Sequence, residues 1–280
     1  MSAPQAPSPF RSNLARRVLT AAVALPSLLA VFFIGPPPLG VVVIGLFLVL
    51  GLVEFYDLLQ ARGLRPLRKT GVVLLALAFV EELFPALQAP AVWPLALLVL
   101  FGALLAHADD LAQALPSAAG TLLGATYLGA LGGTMAGLLL LPPLWQGPRR
   151  VALLMAIGMA ADCVAFFVGH AVGRHKLAPR LSPGKTVEGA LGGLVGGMAG
   201  ALLMRAFWMP WLDWDVTAGL GLVVAALGIA GDLAESLLKR WAGVKDSGTL
   251  FPGHGGVLDR LDSLLFGAPA LYYWFSLFPG

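Results

Sequence analysis

The chain has 280 residues, 58% of them hydrophobic and only 12% charged, with a net charge of +3. Soluble domains carry about 25% charged residues, so this composition excludes a water-facing globular protein and leaves no room for a separate soluble domain. The basic residues fall in loops between apolar runs instead of forming a stripe on one face, which argues against a nucleic-acid partner, and the lone cysteine, Cys163, excludes an intrachain disulfide.

In chain order, residues 1–17 are polar, rich in Pro and Ser, and end on Arg11, Arg16 and Arg17; they read as a cytoplasmic tail. The first apolar run, Val18–Ile34, lacks the polar cleavage region of a signal peptide and reads as an uncleaved first span. Further spans are predicted at Gly40–Leu59, Gly71–Leu87, Ala91–Ala106, Ala118–Leu141, Val151–Val172, Gly189–Met209, Val216–Leu237 and Val257–Phe278. The fold class is therefore all-α, a polytopic integral membrane protein with about nine transmembrane helices of ~20 residues each. It forms one membrane domain, with N-terminal helices over 18–145 and the chemistry-bearing helices and loops over 146–280. Glu81, Glu82, Pro85, Pro90 and Pro94 make 71–106 either two short spans or a re-entrant pair.

Charge sets the orientation. With the N-terminus cytoplasmic, the inner loops hold Arg62, Arg65, Arg68 and Lys69, then Arg174, Lys176, Arg180 and Lys185, then Lys239, Arg240 and Lys245. With the tail, that places fourteen of the 18 basic residues inside, as the positive-inside rule requires. Arg149 and Arg150 are the exceptions. In the seventh span Gly192, Gly196 and Gly200, and likewise Gly193 and Gly197, recur every four residues, a pattern for close helix packing. Cys163 reads as a buried, inert thiol, and Glu54 and Asp57 as interfacial charges at the end of the second span.

An ionisable side chain inside a membrane is costly unless paired or solvated, so each one marks a candidate site. The largest cluster spans the last two helices. Asp232, Glu235 with Ser236, and Lys239 share one helical face. A loop with Lys245, Asp246, Gly248, Pro252, Gly253, His254, Gly255 and Gly256 follows, and the ninth span opens with Asp259, Arg260 and Asp262. Asp232, Asp259 and Asp262 form a hard-oxygen set suited to Mg²⁺, which takes one or two carboxylates plus phosphate and water. Lys239, Arg240, Lys245 and Arg260 suit phosphate oxygens, and the glycines let backbone N–H groups approach an anion. Acids for a metal beside bases for phosphate imply phosphoryl or nucleotidyl transfer.

A second patch follows the sixth span: Asp162 within it, then Arg174, Lys176, Arg180, Ser182, Gly184, Lys185, Thr186 and Glu188. Gly184-Lys185-Thr186 is like the end of a P-loop, but Pro179 stands where that motif needs glycine, and no strand is expected before it. The patch reads instead as part of the same phosphate site. His107, His170 and His175 are isolated and read as surface or packing residues.

The run Ser236-Leu-Leu-Lys239-Arg240, then Lys245-Asp246, then Pro252-Gly253-His254-Gly255-Gly256-Val-Leu-Asp259-Arg260-Leu-Asp262-Ser263, resembles the signature of the phosphatidate cytidylyltransferases. Ser182-Pro183-x-Lys185-Thr186-x-Glu188-Gly189 resembles a second motif of that family. Asp162-Cys163 and Phe166-Phe167 depart from it, since the family has a hydroxyl residue after the Asp and a Tyr shortly beyond, and Gly169-His170 replaces a Gly-Arg or Gly-Lys pair. The resemblance implies condensation of CTP with phosphatidic acid to CDP-diacylglycerol and pyrophosphate, at the cytoplasmic face of an inner membrane. It implies a homodimer, with Mg²⁺ and a second cation, K⁺ or another divalent. It further implies metal binding at Asp232, Asp259 and Asp262. Catalytic roles fall to Lys239, Arg240, Arg260 and Asp246, and substrate contacts to Ser182, Lys185, Glu188, Lys245, His254, Gly255 and Gly256. A secondary transporter and a lipid-directed kinase remain as rivals at this stage. A transporter would gather its polar residues near the membrane midplane, and a kinase would release CDP instead of pyrophosphate.

Overall fold

A computed structural model describes residues 26–84, 92–107, 110–248 and 255–278. Its helices are α1 (26–34), α2 (Pro37–Gln60), α3 (Arg68–Leu83), α4 (Val92–His107), α5 (Leu111–Gly137), α6 (Gly147–Val172), α7 (Val187–Trp208), α8 (Trp214–Ala242) and α9 (Leu258–Leu277). Local chemistry sets their ends. Proline stands in the first turn of α2 and of α6, where its missing N–H costs nothing. Asp110 caps α5 by accepting from Ala112 N at 3.0 Å. Gly243, at φ +80, turns the chain out of α8 in the left-handed conformation that glycine tolerates.

Five segments are long and apolar enough to cross a membrane: Pro37–Gln60, Leu111–Gly137, Leu144–Val172, Val187–Trp208 and Trp214–Ala242. Among the described residues, the other expected spans do not reach that standard. The expected span Val18–Ile34 lies partly outside the described residues, and α9 opens on Asp259, Arg260 and Asp262. α3 and α4 have 16 residues each, about 24 Å at 1.5 Å per residue against a hydrocarbon core of about 30 Å. α8, with 29 residues, is about 44 Å long, so one end of it must project beyond that core.

The all-α expectation needs one amendment. A short antiparallel hairpin, β1 (Lys176–Ala178) and β2 (Ser182–Thr186), joins α6 to α7, with Lys176 opposite Thr186 and Ala178 opposite Ser182. A strand, β1, therefore does precede Gly184-Lys185-Thr186, contrary to the sequence expectation, although Pro179 still stands where a P-loop needs glycine.

The glycine stripe of α7 packs as expected. A Cβ at Gly196 would meet Ala160 O at 2.6 Å and one at Gly200 would meet Ala156 O at 2.8 Å, so α6 backbone lies directly against α7. Gly197 sits against Ala225 of α8. α8 packs on α9, α5 lies between α3 and α9, and α2 touches both α5 and α9. Leu48, Leu52, Phe55, Leu128, Leu258 and Leu265 fill that centre. Val42, Leu46, Leu98, Phe101, Leu105 and Phe207 face outward, an inside-out excess that suits a hydrocarbon surround.

Two charges and the thiol differ from their sequence readings. Arg150 is fully buried: its guanidinium donates to Leu141 O (2.6 Å), Pro142 O (2.9 Å) and Gln146 Oε1 (3.0 Å), fastening the α5–α6 connection. It acts in packing, not as an orientation signal, which accounts for its place as an exception. Glu54 is buried instead of interfacial, whereas Asp57 is exposed and paired with Arg68. Cys163 is exposed on α6, not buried.

Candidate active site

The β-hairpin is locked at its base by Glu188, in the first turn of α7. Its carboxylate accepts from Arg174 N (3.0 Å) and His175 N (3.2 Å) and contacts His175 Nδ1 (2.6 Å). Thr186 caps α7 by accepting from Gly189 N at 3.0 Å. The Thr-x-Glu spacing is thus a capping device, and Glu188, expected to contact substrate, holds the loop's own backbone. The device fixes β2 so that Lys185 reaches across to α8 and pairs with Asp232.

Two turns further along α8 Lys239 forms a second ion pair. Lys239 Nζ sits between Glu235 Oε2 (2.5 Å) and Asp259 Oδ1 (2.6 Å), with its side chain 13% exposed. Asp259 Oδ2 accepts from Ser247 N (3.1 Å), Ser247 Oγ (2.9 Å) and Gly256 N (2.8 Å). Gly255 makes the turn at φ +84, and a Cβ there would meet Asp259 Oδ2 at 2.6 Å. Arg240 is exposed and donates to Leu181 O (3.1 Å) and Val244 O (3.3 Å), tying this loop to the hairpin. Arg62, from the α2–α3 connection, donates to Trp241 O. The three basic loops therefore meet at one end of the bundle. Lys245 and Asp246 are exposed there, and His254 lies outside the described residues.

Between α6, α7, α8 and α9 is a cavity of about 350 Å³. One part of its wall is apolar, with Leu154, Ala161, Val224, Ile229 and Leu264; the other carries Asp162, Ser182, Lys185, Asp232 and Ser263. Asp162, which looked out of place within its helix, faces this cavity, close enough to Asp232, Lys185 and Arg260 for their charges to interact.

The proposed metal set is divided. Asp232 and Asp262 face one another across the α8–α9 contact, where Gly231 leaves no room for a Cβ beside Asp262 O. Asp259 instead spends its oxygens on Lys239, Ser247 and Gly256. Among the described residues no three His, Cys, Asp or Glu side chains converge as a metal-binding group. Two carboxylates are enough for Mg²⁺ when phosphate and water complete its shell. Buried polar atoms point the same way. Glu235 Oε1 and Tyr127 Oη are buried without hydrogen-bond partners among the described residues, and both residues lie within charge range of Asp262. The Asp232–Asp262 pair fits a divalent cation; Asp259, as held here, does not.

Sequence reasoning missed Glu54, Ser247 and Tyr127. Glu54, on α2, accepts from Val257 N and Leu258 N (both 2.9 Å) and from Ser247 Oγ (3.1 Å). A lone Glu in an apolar run was the available signal for it; nothing in the sequence marks Tyr127.

A model of the cytidylyltransferase family matches residues 15–278. The chain is 34% identical over 267 residues to a phosphatidate cytidylyltransferase of Synechocystis, covering 84% of this chain and 87% of that one. It is 44% identical over 144 residues to a phosphatidate cytidylyltransferase of Pseudomonas aeruginosa, covering 48% of this chain and 53% of that one. It is 42% identical over 132 residues to one from Brucella suis, covering 47% and 48% respectively.

Proposed function

The chain belongs to the cytidylyltransferase family, and from that premise we propose that it condenses CTP with phosphatidic acid to give CDP-diacylglycerol and pyrophosphate. A phosphatidate oxygen attacks the α-phosphorus of CTP, a new P–O bond forms, the bond from α-phosphorus to the bridging oxygen breaks, and its electrons leave with pyrophosphate. The observation that carries the reading is the cavity, whose apolar wall runs into Ser182, Lys185 and Asp232. An amphiphile with a phosphate head and acyl tails matches that division, and a transporter's midplane site does not.

The chemistry asks little of a base, because the attacking phosphate is already ionised. It asks for two mutually repelling anions to be held together in line, and for charge to be offset as pyrophosphate departs. Lys185 is the cation nearest the cavity and takes the lipid phosphate. Arg260 adds charge at the same end. Lys239 and Arg240 lie about two turns beyond Asp232 along α8, where Lys245 and the glycine turn can meet the nucleotide. Asp232 and Asp262 would hold Mg²⁺, whose chemistry is to offset negative charge on the phosphates. Asp259 keeps Lys239 aimed and the turn at 255–256 closed.

The basic loops at this end support a cytoplasmic site in an inner membrane, with the N-terminus inside and up to nine spans. A homodimer is the assembly we assign. The test is product formation: purified protein in detergent, given CTP labelled at the α-phosphate, phosphatidic acid and Mg²⁺. The expected result is label in the lipid with stoichiometric pyrophosphate. Unlabelled lipid alongside release of CDP would make it a kinase instead.

A further inference from the structure

The motif residues of the site all come from the second half of the chain, yet two backbone N–H groups of the α9 turn donate to a carboxylate on α2. Glu54 is 8% exposed. Its Oε1 accepts from Val257 N and its Oε2 from Leu258 N, both at 2.9 Å, from residues some 200 positions away. Its Oε2 also lies 3.1 Å from Ser247 Oγ, which stands 2.9 Å from Asp259 Oδ2. A serine hydroxyl has one hydrogen to give, so two carboxylates share a single donor. Gly248 and Gly256 both lie so close to the Glu54 carboxylate that neither could carry a Cβ. A carboxylate in this environment is compensated by backbone N–H groups and by the positive end of α9, and losing it leaves those buried donors without an acceptor.

We propose that Glu54 is a positioning residue for the transfer reaction: through Ser247 and the 256–258 amides it holds the turn that orients Asp259, and through Asp259 it holds Lys239. The inference rests on the reaction assigned above. Glu54 touches neither substrate nor cofactor; it acts through the loop on both sides of the residues outside the described set. It makes α2 part of the active-site frame, although α2 contributes nothing to the phosphate-binding residues. The cluster does not depend on Glu54 for charge, since Asp259 already has Lys239; it depends on Glu54 for geometry. That distinction is what the experiment reads.

The full-length protein is compared with Glu54→Gln, Ser247→Ala and the double variant. Glutamine keeps the shape but offers one acceptor where two are used. Supporting groups of this kind cost about 10- to 100-fold when removed, so kcat is expected to fall by about that factor with both KM values within about threefold. Ser247→Ala is expected to lower kcat less, and the double variant to fall short of the product of the two. Two controls separate positioning from stability. Asp57→Asn, on the same helix but exposed, leaves kcat alone. Leu48→Ala, in the core of α2, lowers the melting midpoint without altering kcat of the folded enzyme. Hydrogen exchange over 255–262, read by mass spectrometry, is expected to quicken in Glu54→Gln and not in Asp57→Asn. A kcat for Glu54→Gln within about threefold of the parent, or unchanged exchange, overturns the proposal. If Glu54→Gln cannot be obtained folded, Ser247→Ala decides: lowered kcat supports the proposal and parental kcat overturns it. A parent that makes no CDP-diacylglycerol refutes the assigned reaction instead, and the exchange arm still tests the Glu54 contacts.

Discussion

α8 presents two lysine–aspartate pairs a short distance apart, and they differ in what surrounds them. In the Lys185–Asp232 pair the side chains are 32% and 21% exposed, and the pair opens on the cavity. In the Lys239–Asp259 pair they are 13% and 9% exposed, with Glu235, Ser247 and Gly256 completing the contacts. The first joins a hairpin residue to the helix at the cavity wall, where a substrate phosphate could take the carboxylate's place. The second is a sealed junction between α8, α9 and the glycine turn. In the proposed reaction the same pair of residue types would serve ligand exchange in one place and preorganisation in the other, with burial as the difference between them.

The largest effect is expected where the junction is broken. Lys239→Ala leaves Glu235 and Asp259 as adjacent, partly buried carboxylates without their cation, and removing one partner of a buried pair costs about 3–5 kcal/mol. Both the melting midpoint and turnover are expected to drop, and added Mg²⁺ is not expected to restore turnover. Full restoration by Mg²⁺ would make Lys239 an exposed charge in function and erase the contrast between the pairs. Asp259→Asn is expected to abolish turnover as well, since the amide cannot accept from Ser247 and Gly256 and also bind Lys239.

Lys185→Ala sharpens the comparison from the other side. Loss of one charge-assisted contact is worth about 1.5–3 kcal/mol, so kcat/KM is expected to fall about 10- to 150-fold with little change in the melting midpoint. A large loss of stability with normal kcat/KM would reverse the roles of the two pairs. Arg240→Ala is expected to matter less: it removes two hydrogen bonds to carbonyls at an exposed edge, about 0.5–1.5 kcal/mol each. The smallest effect is expected for Cys163→Ser, since Cys163 is exposed on α6 and is not among the residues lining the cavity; steady-state kinetics of that variant should match the parent.

Much of this was legible because helical spans and same-face spacing are local properties. The expected span Gly40–Leu59 is the helix Pro37–Gln60, and Val151–Val172 is Gly147–Val172. Asp232, Glu235 and Lys239 line up along α8 as their spacing predicts. The hairpin was not legible: Ser182–Thr186 has no alternating pattern, and its shape depends on Glu188 gripping Arg174 and His175. Nor was the division of the three aspartates, because Asp259 and Asp262 point to different partners although they sit three residues apart. Glu54 was least legible of all, since its role depends on contacts over 200 residues away in sequence.

The central claim is that the cavity beside Lys185 and Asp232 is where the substrates bind. It is tested most directly by Ser182→Cys on a Cys163→Ser background, alkylated by a soluble thiol reagent in detergent. Ser182 lines the cavity beside Lys185. The account predicts that CTP with Mg²⁺, or short-chain phosphatidic acid, slows modification of this cysteine, whereas a cysteine placed at Asp57 reacts at an unchanged rate. An unchanged rate at position 182 with both substrates saturating would contradict it.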